Sequence, residues 1–428
     1  MIRLEDLIAE CDTYRHDNRR SADQRAFAMH AEARCMRLYR AIISHTVRPD
    51  TYSFITYHPR VREVIACEAD LRIIDKYLYR RLRPILERHL PPCVHNNRVG
   101  MGQTSCVNAV ASDIYELSNG HTSDCYVMKL DVAGCFPNMV QDIAYRQMEQ
   151  LLLAEYDGAD RDEMLYMLAV AIYAYPRLHC RRISPIWMWQ DVGKGKSVYE
   201  KDDGIGASIG RLIWQLIACW YFHEVDEYAL SIPSIRYERY VDDMYFVSRS
   251  KDVLLLVPEI RRILARVGAR LNEHKFYFQH YSKGVECLGT HIKLDRIYIN
   301  NRPIRQAKRR VAEWNGRASE RNVIRFISCI NSYLGLCKTY NGYSKAWEIV
   351  RTIDGCWFRY IHFDRTRCCL VPNEGYRQRD IIANRYCITK SCKNEKRRKR
   401  RSHPSAHRAD DGTAEPHEAQ RRTRQQVH

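Results

Sequence analysis

The spacing of apolar and polar positions changes period several times along the chain, and each change predicts an element. Up to about residue 45, apolar residues recur at helical spacing, as in Leu4, Leu7 and Ile8 and later Met36, Leu38, Tyr39 and Ile42, which predicts a helical N-terminal extension over 1–48. Alternation then takes over: Tyr52-Ser53-Phe54-Ile55 and Val61-Arg62-Glu63-Val64-Ile65 read as two strands joined through His58-Pro59-Arg60. A helix is expected from Leu71 to about His89, stopped by Pro91-Pro92, followed by a two-glycine loop (Arg98, Gly100, Gly102) and a second helix through Val107, Ile114 and Leu117. Two glycines before a helix fit a plain turn as well as a phosphate cradle.

The stretch from Tyr126 to Val132 is an apolar strand that ends in one acid, Asp131. Two helices are expected over 141–179, the second apolar at Met164, Leu165, Met167, Leu168, Val170 and Ile172, and an irregular stretch with Lys194 and Lys196 runs on to Asp203. The segment starting at Ile209-Gly210 opens what reads as one long helix, apolar on most faces, packed on a sheet. An amphipathic helix over 252–267, strands near Lys275-Phe276-Tyr277-Phe278 and Val285-Glu286-Cys287-Leu288-Gly289, and a basic, aromatic helical region over 302–365 follow. From about 389 the chain is polar and loses its periodicity, with a basic run at 396–401, and reads as a disordered tail.

Within this pattern, Arg239-Tyr240-Val241-Asp242-Asp243-Met244-Tyr245-Phe246 stands apart. Aromatic and β-branched flanks call for a buried strand pair, yet its turn carries two adjacent carboxylates. A bare Asp-Asp pair is usually a polar hairpin tip; here the apolar flanks favour a divalent-metal site. The mixture of strands and helices predicts an α+β fold with one antiparallel sheet and helices packed on one face. Such folding brings Asp131 beside the hairpin apex, where three carboxylates would hold two Mg²⁺ ions (or Mn²⁺) about 4 Å apart for phosphoryl transfer.

Composition sharpens this picture. The 69 Lys and Arg residues exceed the 51 Asp and Glu residues by 18 over 428 residues, a surplus that points to a polyanionic partner such as nucleic acid. No apolar run reaches the ~20 residues of a membrane span and no secretion signal opens the chain, so a cytoplasmic protein with no membrane partner is expected. Its 17 cysteines are scattered without C-x-x-C pairs, as free thiols in a reducing compartment would be. Cys368, Cys369, Cys387 and Cys392 are capable of ligating zinc, although their spacing fits no usual metal pattern.

Taken in order, Leu130-Asp131-Val132-Ala133-Gly134-Cys135-Phe136, Tyr240-Val241-Asp242-Asp243 and Val285-Glu286-Cys287-Leu288-Gly289 resemble the palm motifs of reverse transcriptases over roughly residues 50–345. The resemblance implies a right-hand polymerase with an antiparallel palm sheet on helices: fingers over 49–127, a palm over 128–300 with a fingers insertion around 141–208, a helical thumb over 301–370 and a C-terminal extension over 371–428. It implies metals on Asp131, Val132, Asp242 and Asp243. It also implies a nucleotide site of Arg60, Arg62, Ala133, Gly134, Phe136, Ile209, Gly210, Gln215 and Lys275. Phe136 would act as the steric gate against a ribose 2′-hydroxyl, Arg60 and Arg62 would clamp the triphosphate, and Lys275 would protonate the leaving pyrophosphate. Arg98, Lys196, Tyr240, Leu288, Gly289, Arg305, Lys308 and Arg309 would contact nucleic acid.

Common reverse transcriptases carry Gln-Gly where this chain has Ile209-Gly210, with a glutamine five residues beyond the glycine, at Gln215. This is similar to the I-G-x-x-x-S-Q pattern of diversity-generating retroelements, whose enzymes copy a template RNA with errors at adenines. Gly195-Lys196-Ser197-Val198 and Ile330-Asn331-Ser332-Tyr333-Leu334-Gly335 match as well, whereas Trp214 and Cys287 depart from that pattern. Trp214, in place of serine, is expected to alter template or primer contacts. The implied partners are template RNA, a cDNA or primer strand, deoxynucleoside triphosphates and a small basic accessory protein. Group II intron-like, retron and defence-associated enzymes stay open, as does a catalytically inactive RNA-binding scaffold.

Overall fold

The structure, a computed structural model, describes residues 1–17, 22–57, 61–174 and 180–374. The described residues form two compact units, 1–309 with 336–346, and 310–335 with 347–374. The region expected as a thumb is shared between them, and the expected basic tail lies outside the described residues.

In the first unit the N-terminal extension is helical over Leu4–Asp17, Ala22–Met29 and Ala31–Ile43; the third helix buries Cys35, Leu38 and Ile42, one stripe at i, i+3, i+7. Strands β1 (Thr51–Thr56) and β2 (Arg62–Cys67) pair antiparallel, as the alternation predicted; the His58-Pro59-Arg60 joint lies outside the described residues. The helix Ala69–His89 follows and ends at Leu90, before the two prolines. The helix Gln103–Leu117 comes next, leading into β3 (Tyr126–Asp131). Two helices, Gln141–Glu155 and Arg161–Ile172, occupy the expected region. The stretch read as irregular contains a short strand, β4 (Cys180–Arg182), which pairs parallel with β1, and two 3-10 turns, Ile186–Asp191 and Val198–Glu200.

The central sheet joins β5 (Ile235–Tyr240), β6 (Asp243–Ser248), β3 and β7 (Tyr277–His280) in the order β5-β6-β3-β7, every pair antiparallel. It is covered on both faces, where one was expected. Met128, Leu130, Met244 and Phe246 pack with apolar residues of the helices His223–Leu230 and Val257–Arg266, while Val127, Tyr245 and Val247 pack with Cys106, Val107, Val110 and Ile114 of the helix Gln103–Leu117. The reason is in β6, where Met244, Tyr245, Phe246 and Val247 are consecutive and buried, so both faces need a cover. A separate antiparallel sheet of β8 (Val285–Cys287), β9 (Thr290–Ile292) and β10 (Ile297–Ile299) makes the expectation of a single sheet too simple.

The long helix expected from Ile209 is two short ones, Leu212–Trp220 and His223–Leu230. Gly210 has φ +111°, outside the helical region, and the Ile209 carbonyl accepts from the Ile65 N–H (3.0 Å), so both residues belong to a loop docked on β2. The break after Trp220 is fixed by Tyr221, whose phenol donates to the Val267 carbonyl (2.7 Å) and accepts from the Val140 N–H (2.9 Å). The helix Leu212–Trp220 packs chiefly on the helix Ala69–His89, not on the sheet. Arg211, just before it, is fully buried against Asp75 (2.5 and 3.2 Å). The amphipathic helix over 252–267 begins as a 3-10 turn, Lys251–Leu256, and becomes α-helical at Val257, with Pro258 in its first turn.

In the second unit, Phe326 stacks on Trp357 (4.0 Å between ring centroids) with the edge of Trp314 beside both. The Asn331 side chain bridges to both backbone groups of Leu370 in the hairpin of β11 (Ile361–Asp364) and β12 (Cys369–Pro372). Among the described residues no helix is long and apolar enough to cross a membrane.

Candidate active site

The hairpin of β5 and β6 turns through Val241 and Asp242, with Tyr240 opposite Asp243. Val241 has φ +58°, a left-handed conformation that costs a β-branched residue about 1–3 kcal/mol and persists only when its surroundings fix it. Two buried side chains do so: the Val241 N–H donates to Asn96 Oδ1 (3.1 Å), and Arg239 Nη1 donates to the Val241 carbonyl (3.2 Å). Arg239 is itself fully buried, paired with Asp226 (2.7 and 2.5 Å) and donating to the Cys219 carbonyl (2.7 Å). The backbone of β5 is held from the side, as His95 N–H donates to the Arg239 carbonyl (2.9 Å) and Arg239 N–H to that of Cys93 (2.8 Å). Sequence reasoning missed this support. One signal was available: Ile235, Tyr237 and Arg239 share the buried face of an alternating strand, so the arginine had to bring a partner inside.

The register of β3 against β6 sets Asp131 opposite Asp243, and the Val132 N–H donates to the Asp242 carbonyl (3.3 Å), tying the strand end to the turn. Asp131 accepts from Lys275 Nζ (2.7 and 2.9 Å) and Asn272 Nδ2 (3.0 Å); Asp243 accepts from Lys129 Nζ (2.8 Å). Among the described residues no lysine pairs with Asp242, and Lys275 acts on it only as a lesser, opposing influence. Burial, then repulsion from Asp243 and Asp131, pushes its carboxyl up to about 6. That is the chemistry of a donor set short of positive charge, and it fits divalent cations. As the side chains stand, no group of three or more His, Cys, Asp or Glu residues among those described closes into a ligand cluster, because two of the aspartates are drawn onto lysines. The same finding covers Cys368 and Cys369 of the suggested zinc set; Cys387 and Cys392 lie outside the described residues.

After Asp131 the chain turns sharply. Gly134 has φ +57°, and a Cβ there would meet Asn138 Nδ2 at 2.8 Å; the turn Cys135–Asn138 then carries Phe136, half-buried. The Phe136 carbonyl accepts from the Ala207 N–H (2.8 Å), and two residues later Ile209 is bonded to β2, so one loop links the Phe136 turn to the strand that begins at Arg62. A Cβ on Gly210 would press on Val64 Cγ1 at 3.0 Å. Arg62 is exposed, and Arg60 lies outside the described residues. Gln215 is exposed, whereas Trp214 is buried in the core, so any effect it has on template or primer contacts is indirect, through the packing of its helix.

Lys275 lies in the 3-10 turn Glu273–Lys275 ahead of β7, not in a strand. A cavity of about 450 Å³ opens beside Ala133, with Arg261, Arg270, Asn272 and His274 in its wall. Among the residues expected to meet nucleic acid, Lys196, Arg305 and Arg309 are exposed and Lys308 is half-buried. The last three lie on the helix Asn301–Trp314, Arg305 and Arg309 turned away from its buried Ile304, Ala307 and Val311 and Lys308 flanking that buried face. Arg98 instead donates to the carbonyls of Pro91 (2.6 Å) and Val94 (3.1 Å). Tyr240, the last residue of β5, is partly buried, and Leu288 and Gly289, both at positive φ, form the turn between β8 and β9; the Leu288 N–H donates to the Tyr245 hydroxyl (3.2 Å).

The family model described as "Reverse transcriptase (RNA-dependent DNA polymerase)" matches residues 58–292, more than half of the chain and the whole span from β2 to β9. A search of curated proteins returns no match. Among solved structures, similar ones include apo telomerase from Candida tropicalis (12% identity, TM-score 0.41, 73% of this chain and 62% of that one). Its form truncated from the C-terminal domain gives 12% identity and TM-score 0.39, over 59% and 55% of the two chains. Telomerase from Candida albicans in complex with the TWJ fragment of telomeric RNA gives 11% identity and TM-score 0.40, over 73% and 61%. The present chain thus spans about three fifths of their length. With the match over 58–292 containing Asp131, Asp242 and Asp243, the chain belongs to the reverse transcriptase family and has its α+β, right-hand polymerase fold.

Proposed function

We propose that the protein is an RNA-directed DNA polymerase that extends a DNA primer on a template RNA, one deoxynucleotide at a time. The observation that carries this reading is the juxtaposition of Asp131 and Asp243 across β3 and β6, with Asp242 in the adjoining turn and short of a cation. Asp131, Asp242, Asp243 and the Val132 carbonyl would hold two divalent ions, which supply charge stabilisation for the attacking and leaving oxygens. Around them, Phe136 limits the space beside the sugar, and Arg62 and Arg60 meet the triphosphate. Lys275 hands a proton to the departing pyrophosphate once it is released from Asp131. The exposed basic residues of the helix Asn301–Trp314 track the nucleic-acid backbone.

The test is primer extension on RNA with Mg²⁺ and deoxynucleoside triphosphates, with Asp242→Ala alongside. Synthesis by the wild type and none by the variant is expected; equal synthesis by both would overturn the assignment.

Within the family, the enzyme is the error-prone polymerase of a diversity-generating retroelement, working with a structured template RNA and a small basic accessory protein. Ile209-Gly210 with Gln215 five residues beyond supports this. An apolar isoleucine in place of a hydrogen-bonding glutamine removes a polar contact to the nascent pair, worth about 1–2 kcal/mol of discrimination. Ile209→Gln is expected to lower misincorporation opposite template adenine, and unchanged fidelity would sink the subclass argument.

A further inference from the structure

We propose that Asn96 is a positioning residue for nucleotidyl transfer: its buried carboxamide fixes the left-handed turn at Val241 and through it the place of Asp242. The inference rests on reading the three aspartates as the metal site. Asn96 is 1% exposed and lies outside every motif that defines that site. Its Oδ1 takes the Val241 N–H at 3.1 Å, and its Nδ2 donates to Cys219 Sγ at 3.1 Å, so the side chain spans from the turn to the helix Leu212–Trp220. The thiol in turn lies 3.2 Å from the Asn96 carbonyl, which locks the backbone of the same residue.

The chemistry selects a carboxamide. An acceptor is needed for the turn and a donor for the sulfur, from one uncharged group, since a further carboxylate would add to the repulsion already acting on Asp242. A strained residue relaxes when one of its two restraints is lost, and Arg239 alone, on the Val241 carbonyl, leaves the N–H side of the turn unheld. Relaxation there moves the carboxylate that follows. His95 offers the contrast: it binds the same strand through Glu238 and the Arg239 carbonyl but does not touch the turn.

The experiment measures Mn²⁺ binding to the full, metal-free chain, together with kcat and KM for primer extension. Asn96→Leu, close in volume but without an acceptor, is expected to weaken Mn²⁺ binding about 10- to 100-fold, as loss of an outer-shell partner does, and to lower kcat with KM for the nucleotide within about threefold. His95→Ala is expected to lower the melting temperature while leaving Mn²⁺ affinity within about twofold, the mark of a merely structural contact. Should Asn96→Leu fail to fold, Asn96→Ser, which keeps a polar group but cannot reach the turn, carries the same expectation. Mn²⁺ affinity unchanged in the Asn96 variant, or lost equally in His95→Ala, overturns the inference. Asp242→Ala separates the two levels: unchanged Mn²⁺ binding there removes the aspartate site itself, whereas loss there with none at Asn96 removes only the positioning role.

Discussion

Lys275 lies across both oxygens of Asp131, its Nζ 2.7 Å from Oδ1 and 2.9 Å from Oδ2, so it competes with a cation for the same carboxylate. Lys275→Met is therefore expected to bind Mn²⁺ several-fold more tightly than the wild type, because a competing positive charge is gone. At the same time kcat should fall by about 10²-fold or more, the usual loss when a general acid is removed. Titration of Mn²⁺ alongside steady-state kinetics separates the two effects, and a variant weaker in both would show that the lysine supports the carboxylate instead of competing for it.

Asp242 sets a pH dependence whose sign follows from its raised pKa. The unfolded carboxyl titrates near 3.9 and the folded one at about 6, so this group costs no stability below about pH 4, and its penalty grows as pH rises to about 6. Cations bind the deprotonated form. The rise in melting temperature on adding Mg²⁺ is thus expected to be small at about pH 5 and large at about pH 7.5, and Asp242→Asn should flatten that difference.

A second raised acid is not one of the three aspartates. Asp113, on the helix Gln103–Leu117, is pushed up to about 7 by burial and then by Glu238 and Glu116, and its Oδ2 is buried without a hydrogen-bond partner among the described residues. Its native pKa exceeds the unfolded one, so it destabilises the fold increasingly from about pH 4 to about pH 7. Asp113→Asn is expected to stabilise the protein by about 1–3 kcal/mol at pH 8 and by almost nothing at pH 4, read by denaturant unfolding.

The Asp226–Arg239 pair gives a stability prediction close to the site. Removing one member of a buried ion pair strands the other, so Asp226→Ala is expected to cost about 3–5 kcal/mol. The double variant Asp226→Ala with Arg239→Met should recover part of that loss while leaving Val241 without its carbonyl restraint, and therefore remain defective in synthesis.

Phe136 tests the sugar specificity. Phe136→Val is expected to raise incorporation of ribonucleotides relative to deoxynucleotides by about 10- to 100-fold, the scale on which a pocket contact discriminates. A ratio unchanged within about twofold would reduce Phe136 to core packing.

The carboxylates were legible because an apolar strand ending in an acid has few structural explanations, and followed by an apolar hairpin with two acids at its turn it has fewer. The two halves of the hairpin were legible for the same reason: alternation fixes which residues face inward. Asn96 was not, since its partner Val241 is 145 residues away and a single asparagine has no period. The false long helix at Ile209 shows another limit. Apolar content is the same in a docked loop and a helix, and only the left-handed Gly210 and the bond from Ile65 separate them. The second cover on the sheet was available in Met244-Tyr245-Phe246-Val247, an unbroken apolar run that one helical layer cannot satisfy.

Trp214 and Gln215 are one helical step of about 100° apart, the first sealed in the core and the second open to solvent. Substitution at 214 is felt by everything packed around the indole, while substitution at 215 alters a side chain that faces solvent. A sequence can therefore drift at 215 without disturbing the core, whereas a change at 214 must be absorbed by the side chains around it.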